Sequence, residues 1–142
     1  MEITLEYWNA LARQTILISS LLSGFSINVV ANLIVSDKND KLTNRILKSA
    51  TLSAGCYLVT VFSMVQISML TTPGGFVRDV VEADFMLPRA IGMFTFMLGL
   101  VALTVMISLS GWTKSKKVGR FTTTVGILTF LLILMTMIKF EL

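Results

Sequence analysis

The stretch Thr15–Val35, TILISSLLSGFSINVVANLIV, runs for 21 residues without one Asp, Glu, Lys, Arg or His. A helix crosses a hydrocarbon core of about 30 Å with about 20 apolar residues, so this segment alone is long enough to span a bilayer. Three further stretches repeat the pattern: Ser49–Thr72, Ala90–Gly111 and Phe121–Ile138, of 24, 22 and 18 residues, none with a charged residue. A β-barrel requires more strands, each about ten residues long with alternating polarity, whereas these segments are apolar on nearly all sides. The sequence therefore predicts an all-α, integral membrane four-helix bundle forming one membrane domain over residues 1–142, with the lipid bilayer as its surroundings.

Composition points the same way. Of 142 residues, 54% are hydrophobic and 14% charged, a balance that soluble domains of this size rarely reach. The tails and the three connections leave no room for an extramembrane domain. Glu2 and Glu6 precede the first span where a signal peptide carries a basic region, and the span exceeds a signal-peptide apolar core, so it reads as a retained helix.

Much chemistry is excluded by residue type. The chain has no His, and its single cysteine, Cys56, lies inside the second span. An internal disulfide, a transition-metal cage and a Ser-His-Asp triad are thereby removed. No span holds the membrane-embedded carboxylate that an ion-coupled exporter of the small four-helix multidrug type needs for proton exchange. Paired carboxylates or His residues for a lipid-modifying enzyme are missing from the membrane boundary. The expectation is a non-enzyme with no cofactor, no metal site and no nucleic-acid partner.

Basic residues are unevenly placed, and their bias in short loops predicts the cytoplasmic side. Loop 1 carries Lys38, Lys41, Arg45 and Lys48, and loop 3 carries Lys114, Lys116, Lys117 and Arg120, against Arg13, Arg78, Arg89 and Lys139 on the other side. Loops 1 and 3 are expected to be cytoplasmic, in a plasma (inner) membrane, with both termini and the middle loop outside. They attract anionic headgroups weakly and offer a surface for a soluble cytoplasmic partner. Tyr7, Trp8 and Trp112 flank spans where amphipathic rings anchor at the headgroups. In the middle loop a Pro73-Gly74-Gly75 turn precedes Phe76, Val77, Val80 and Val81 at helical spacing beside Arg78, Asp79 and Glu82, which predicts a short interfacial helix over about 76–86.

Small residues form seams. Span two places Ser49, Ser53, Cys56, Thr60 and Ser63 at alternating steps of four and three, the period of left-handed helix packing. Span three repeats the device with Gly92, Thr95, Gly99 and Ala102, and span four with Thr122, Gly126, Thr129 and Thr136. Small residues let helices approach closely where lipid supplies no hydrophobic driving force, so Ser53, Cys56, Thr60, Ser63, Gly92, Gly99 and Gly126 are expected packing positions. Methionines such as Met64, Met93 and Met97 read as fillers of irregular gaps. Three such seams exceed what one bundle needs, and a symmetric homo-oligomer is expected.

Span one differs, because Ser20, Gly24, Asn28 and Asn32 follow one another at steps of four, with Arg13 and Leu17 continuing the stripe. Two carboxamides one turn apart need partners: another helix, for instance at Gln66, or water. Several copies of span one would offer a ring of amide donors and acceptors to hydrated ions.

The segment Ser20-Leu21-Leu22-Ser23-Gly24-Phe25-Ser26 resembles the first transmembrane helix of the Orai calcium channels, and Ser53-Ala54, Cys56 and Pro73 are loosely similar to its second span. Small prokaryotic four-span membrane proteins carry a similar Ser-Gly-Phe segment. The resemblance implies an oligomer whose first helices line a central pore, with Leu21, Gly24, Phe25, Asn28 and Asn32 on the pore face and Leu17 one turn before them. Asn32 falls where the family has its selectivity glutamate, and an uncharged amide does not concentrate a divalent cation, so calcium selectivity is not implied. The family keeps its termini in the cytosol, opposite to the orientation that the charge bias predicts. The expected function is an oligomeric channel or pore lined by span one; the alternative is a non-conducting anchor or effector subunit that docks a soluble partner.

Overall fold

A computed structural model describes residues 4–75, 77 and 79–138. Four long helices, α1 (Leu5–Val35), α2 (Lys41–Leu70), α3 (Met86–Ser110) and α4 (Lys116–Ile138), are joined by short connections, with 3-10 turns at Glu82–Phe85 and Gly111–Thr113 flanking α3. No strand occurs among the described residues. All four helices are long and apolar enough to cross a membrane, which is the architecture of a multi-pass membrane protein.

The helices run past the charge-free stretches that announce them. The first two begin at Leu5 and Lys41, well before Thr15 and Ser49, because a helix does not end where the hydrocarbon does. At 1.5 Å per residue α1 is about 46 Å long, longer than the apolar core, so its ends reach headgroup level where charged side chains are solvated. Its N-terminus is capped by Thr4, whose side chain accepts the Tyr7 amide, and Asp40 caps α2 in the same way through the Thr43 amide.

The middle loop departs from expectation. Among the described residues of the expected helix over about 76–86, Glu82–Phe85 forms a 3-10 segment that leads into α3 at Met86. Gly74 and Asp79 both have positive φ, 72° and 58°, and a helix does not propagate through left-handed backbone. The turn then starts where Asp84 accepts the Val81 amide at 3.0 Å. Phe76 and Arg78 of the expected helix, together with Glu2 and Lys139, lie outside the described residues.

Spatial order follows chain order. The extensive seams are α1 on α2, α2 on α3 and α3 on α4, so the helices form an open array rather than a closed bundle. Two apolar clusters hold it at opposite ends. One gathers Trp8, Ala12, Met64, Ile67 and Phe85; the other gathers Ile46, Ala50 and Met106, with Val30 and Leu33 of α1 packed against them. The array stays open because α4 buries only Gly119 and Gly126, a single small-residue face turned to α3.

Candidate functional site

Hydroxyl-bearing seams set the rotation of each helix. On α1, Ser23 Oγ donates to the Ala54 carbonyl at 3.3 Å, and Ser26 Oγ shares a 3.1 Å hydrogen bond with Ser53 Oγ. Ser53 Oγ also reaches the Gly99 carbonyl at 3.4 Å, which ties α1, α2 and α3 together at one level. One end of α1 is fastened by Asn9, whose Nδ2 donates to the Ser68 carbonyl at 2.9 Å and to Thr71 Oγ1 at 3.2 Å.

The small positions of α2, α3 and α4 meet across these seams. Thr60 Oγ1 lies 2.8 Å from Thr95 Oγ1 and 3.4 Å from the Gly92 carbonyl. Cys56 is buried, and Ser63 is half-buried beside Gly92, where an added Cβ would come within 3.2 Å of the Ser63 Cβ. A Cβ on Gly99 would meet the Tyr57 ring at 3.1 Å, and one on Gly126 would collide with Ser108 Oγ. Thr122 Oγ1 donates to the Ser108 carbonyl at 3.2 Å.

With Ala12, Ser19, Ser23 and Ser26 buried, the opposite side of α1 is fixed. At about 100° per residue these four lie within about 60° of one another, and Leu17, Leu21, Gly24 and Asn28 fall on the far side, flanked by Phe25 and Asn32. All six are exposed, with Leu17 at 65% and Leu21 at 69%. Asn28 and Asn32 do not bond Gln66, which is itself exposed on α2; Asn32 Nδ2 donates to Asn28 Oδ1 at 3.3 Å. Arg13 and Ser20 are exposed on the same helix.

The serine seam of α1 has its own signal in the sequence, one that polarity alone does not reveal. Ala12, Ser19 and Ser26 are one heptad apart, with Ile16 and Ser23 between them and Val30 following, the same alternation of four and three that marks span two. The amides of Asn28 and Asn32 are more polar than hydroxyls, yet it is the hydroxyls of Ser23 and Ser26 that bond the neighbouring helix.

Among the described residues no group of His, Cys, Asp and Glu is placed to hold a metal ion. Charges collect at the ends: the eight basic side chains of loops 1 and 3 are all exposed. They share one end of the molecule, where Leu33, Leu42 and Leu109 meet around the Ile46–Met106 cluster. No protein-family model, no curated protein and no solved structure matches the chain.

Proposed function

We propose that this chain is a channel-forming subunit: several copies assemble about an axis, with α1 innermost and Leu17, Leu21, Gly24, Phe25, Asn28 and Asn32 lining a polar pathway. One observation carries the reading. Asn28 and Asn32 are exposed on the face of a membrane-length helix that points away from every other helix of the chain. Polar side chains at membrane depth face protein or water rather than lipid. Their mutual hydrogen bond satisfies one donor and one acceptor and leaves the rest of two carboxamides open. A ring of such amides replaces part of an ion's hydration without a fixed charge. The open array supports assembly as well, since it leaves α1 accessible to a second copy.

Conductance in planar bilayers tests this. Replacing Asn28 and Asn32 together by Leu abolishes conductance while the assembly, measured by mass in mild detergent, persists. Equal conductance of the two proteins removes the pore, and loss of assembly makes the amides intersubunit packing bonds.

A second reading rests on the eight exposed basic residues gathered at one end. There the chain is a non-conducting anchor or effector subunit, and loops 1 and 3, placed on the cytoplasmic side of a plasma (inner) membrane by their charge, dock an acidic soluble partner. Wild-type protein that assembles but never conducts favours it.

A further inference from the structure

A groove of about 290 Å³ opens between α1, α2 and α3, with Met137 of α4 also lining it, at the end of the molecule opposite the basic loops. Its lining is almost wholly apolar: Leu11, Ala12, Ile67 and Phe96 are joined by four methionines, Met64, Met93, Met97 and Met137. Thr15 also lines it, but its hydroxyl is already spent on the Leu11 carbonyl at 2.9 Å. Methionine is the most adaptable apolar side chain, and a surface built from four of them suits a flexible chain better than a rigid ring system.

One end of the groove is charged. The Arg89 guanidinium lies 4.1 Å from the centre of the Trp8 ring, and its Nη1 donates to Glu82 Oε1 at 2.9 Å. Arg89 carries five donors and Glu82 two acceptor oxygens, so the pair leaves a cation and an anion side by side, both open to further bonds. From Arg89 to Met97 along α3 is about 12 Å, close to the depth of one leaflet of a hydrocarbon core about 30 Å thick.

From this arrangement we infer that the groove is a binding site for one phospholipid of the ethanolamine class, its acyl chain lying along the methionines and its headgroup on the Arg89–Glu82 pair. The phosphate meets the guanidinium, which matches it in charge and in planar donor geometry. The primary ammonium donates to the free oxygen of Glu82. A choline headgroup offers no N–H donor to that carboxylate, and a glycerol headgroup offers no cation. Headgroup recognition at the charged mouth and chain recognition in the apolar groove thus come from different residues.

The test is native mass spectrometry of the full-length protein, released from mild detergent after exposure to an equimolar mixture of phosphatidylethanolamine, phosphatidylcholine and phosphatidylglycerol with identical acyl chains. Wild type retains the ethanolamine lipid several-fold over the other two. Glu82→Gln brings ethanolamine and choline lipids to parity, Arg89→Ala lowers retention of all three, and Met93→Trp, which fills the groove and leaves both charges, does the same. If Arg89→Ala loses its helical signal, Arg89→Lys replaces it and shows weaker retention without a change in rank. Equal retention by wild type, a preference for the glycerol lipid, or an unchanged ethanolamine excess in Glu82→Gln or Met93→Trp overturns the site.

Discussion

Ser26 and Ser53 face each other across the α1–α2 seam with their hydroxyl oxygens 3.1 Å apart, both fully buried. Together with Ser23 and Asn9, that contact sets the closeness of the two helices and the rotation of α1 that turns Asn28 outward. Interhelical hydrogen bonds in membranes average about 0.6 kcal/mol, so closeness is the larger contribution. The double change Ser26→Ala with Ser53→Ala is expected to lower the melting temperature in detergent only slightly, whereas Ser26→Leu separates the helices and unfolds the protein well below it.

Two glycines behave oppositely. A Cβ at Gly126 collides with Ser108, while one at Gly24 finds nothing within 4 Å. Gly126→Leu therefore loosens α4 and lowers the melting temperature by several degrees. Gly24→Leu leaves the melting temperature of a single chain unchanged but reduces conductance, because its side chain enters the pathway proposed for α1. Melting curves beside bilayer recordings separate the two.

Tyr57 is fully buried and its hydroxyl has no hydrogen-bond partner among the described residues. Removing an unsatisfied buried hydroxyl costs nothing in hydrogen bonding and relieves a desolvation penalty of about 1–3 kcal/mol, so Tyr57→Phe is expected to match or exceed wild-type stability. Gly99→Ala presses a methyl on the same ring at 3.1 Å and is expected to be the destabilising partner. Thermal melting of both variants checks the pair, and a large loss in Tyr57→Phe contradicts it.

Asp40 gives loop 1 a pH dependence. The Thr43 hydroxyl, donating to its carboxylate, holds its pKa below the ordinary value; desolvation opposes it less strongly, and the Thr43 amide adds a further lowering contact. A depressed carboxylate stabilises the fold above the ordinary carboxylate range and loses that contribution as pH falls through the lowered value. The start of α2 should fray on acidification below the ordinary range. Asp40→Asn, which still caps a helix, is expected to abolish that pH dependence, and amide exchange at Thr43 and Asn44 measures it.

The basic loops predict a sidedness that labelling checks. Cysteines introduced near Lys41 and Lys116 are expected to resist an impermeant thiol reagent in intact cells, while one near Asp79 labels. The reverse pattern inverts the molecule and agrees with the orientation that the Orai resemblance implies.

Helix number and class were legible because hydrocarbon thickness imposes a length and an absence of charge that can be counted along the chain. Four charge-free stretches became four helices, and their small-residue positions Ser53, Thr60, Gly99 and Gly126 were readable because close approach in lipid demands small side chains whatever the fold. Helix ends were not, since Leu5 and Lys41 start helices in a headgroup zone that tolerates both apolar and charged residues. The middle loop is not legible from spacing: Val77, Val80 and Val81 have helical periodicity, but Asp79 takes a left-handed conformation that periodicity does not register.

What the sequence by itself determined is therefore the set of pieces: four membrane-length helices, their small faces, and eight basic residues in two loops. Only the tertiary structure decided which of two polar stripes on α1 serves the chain's own packing. Ser19, Ser23 and Ser26 turn inward because their side chains are small enough to let backbones close, and the hydroxyls of Ser23 and Ser26 still reach the Ala54 carbonyl and Ser53 Oγ. Asn28 and Asn32 are left outside because their larger amides would hold those same backbones apart. The groove beside Arg89 is likewise a product of tertiary structure, since it exists only where Trp8, Met64 and Met93, far apart in the chain, are brought to one level by the seams on either side of α2.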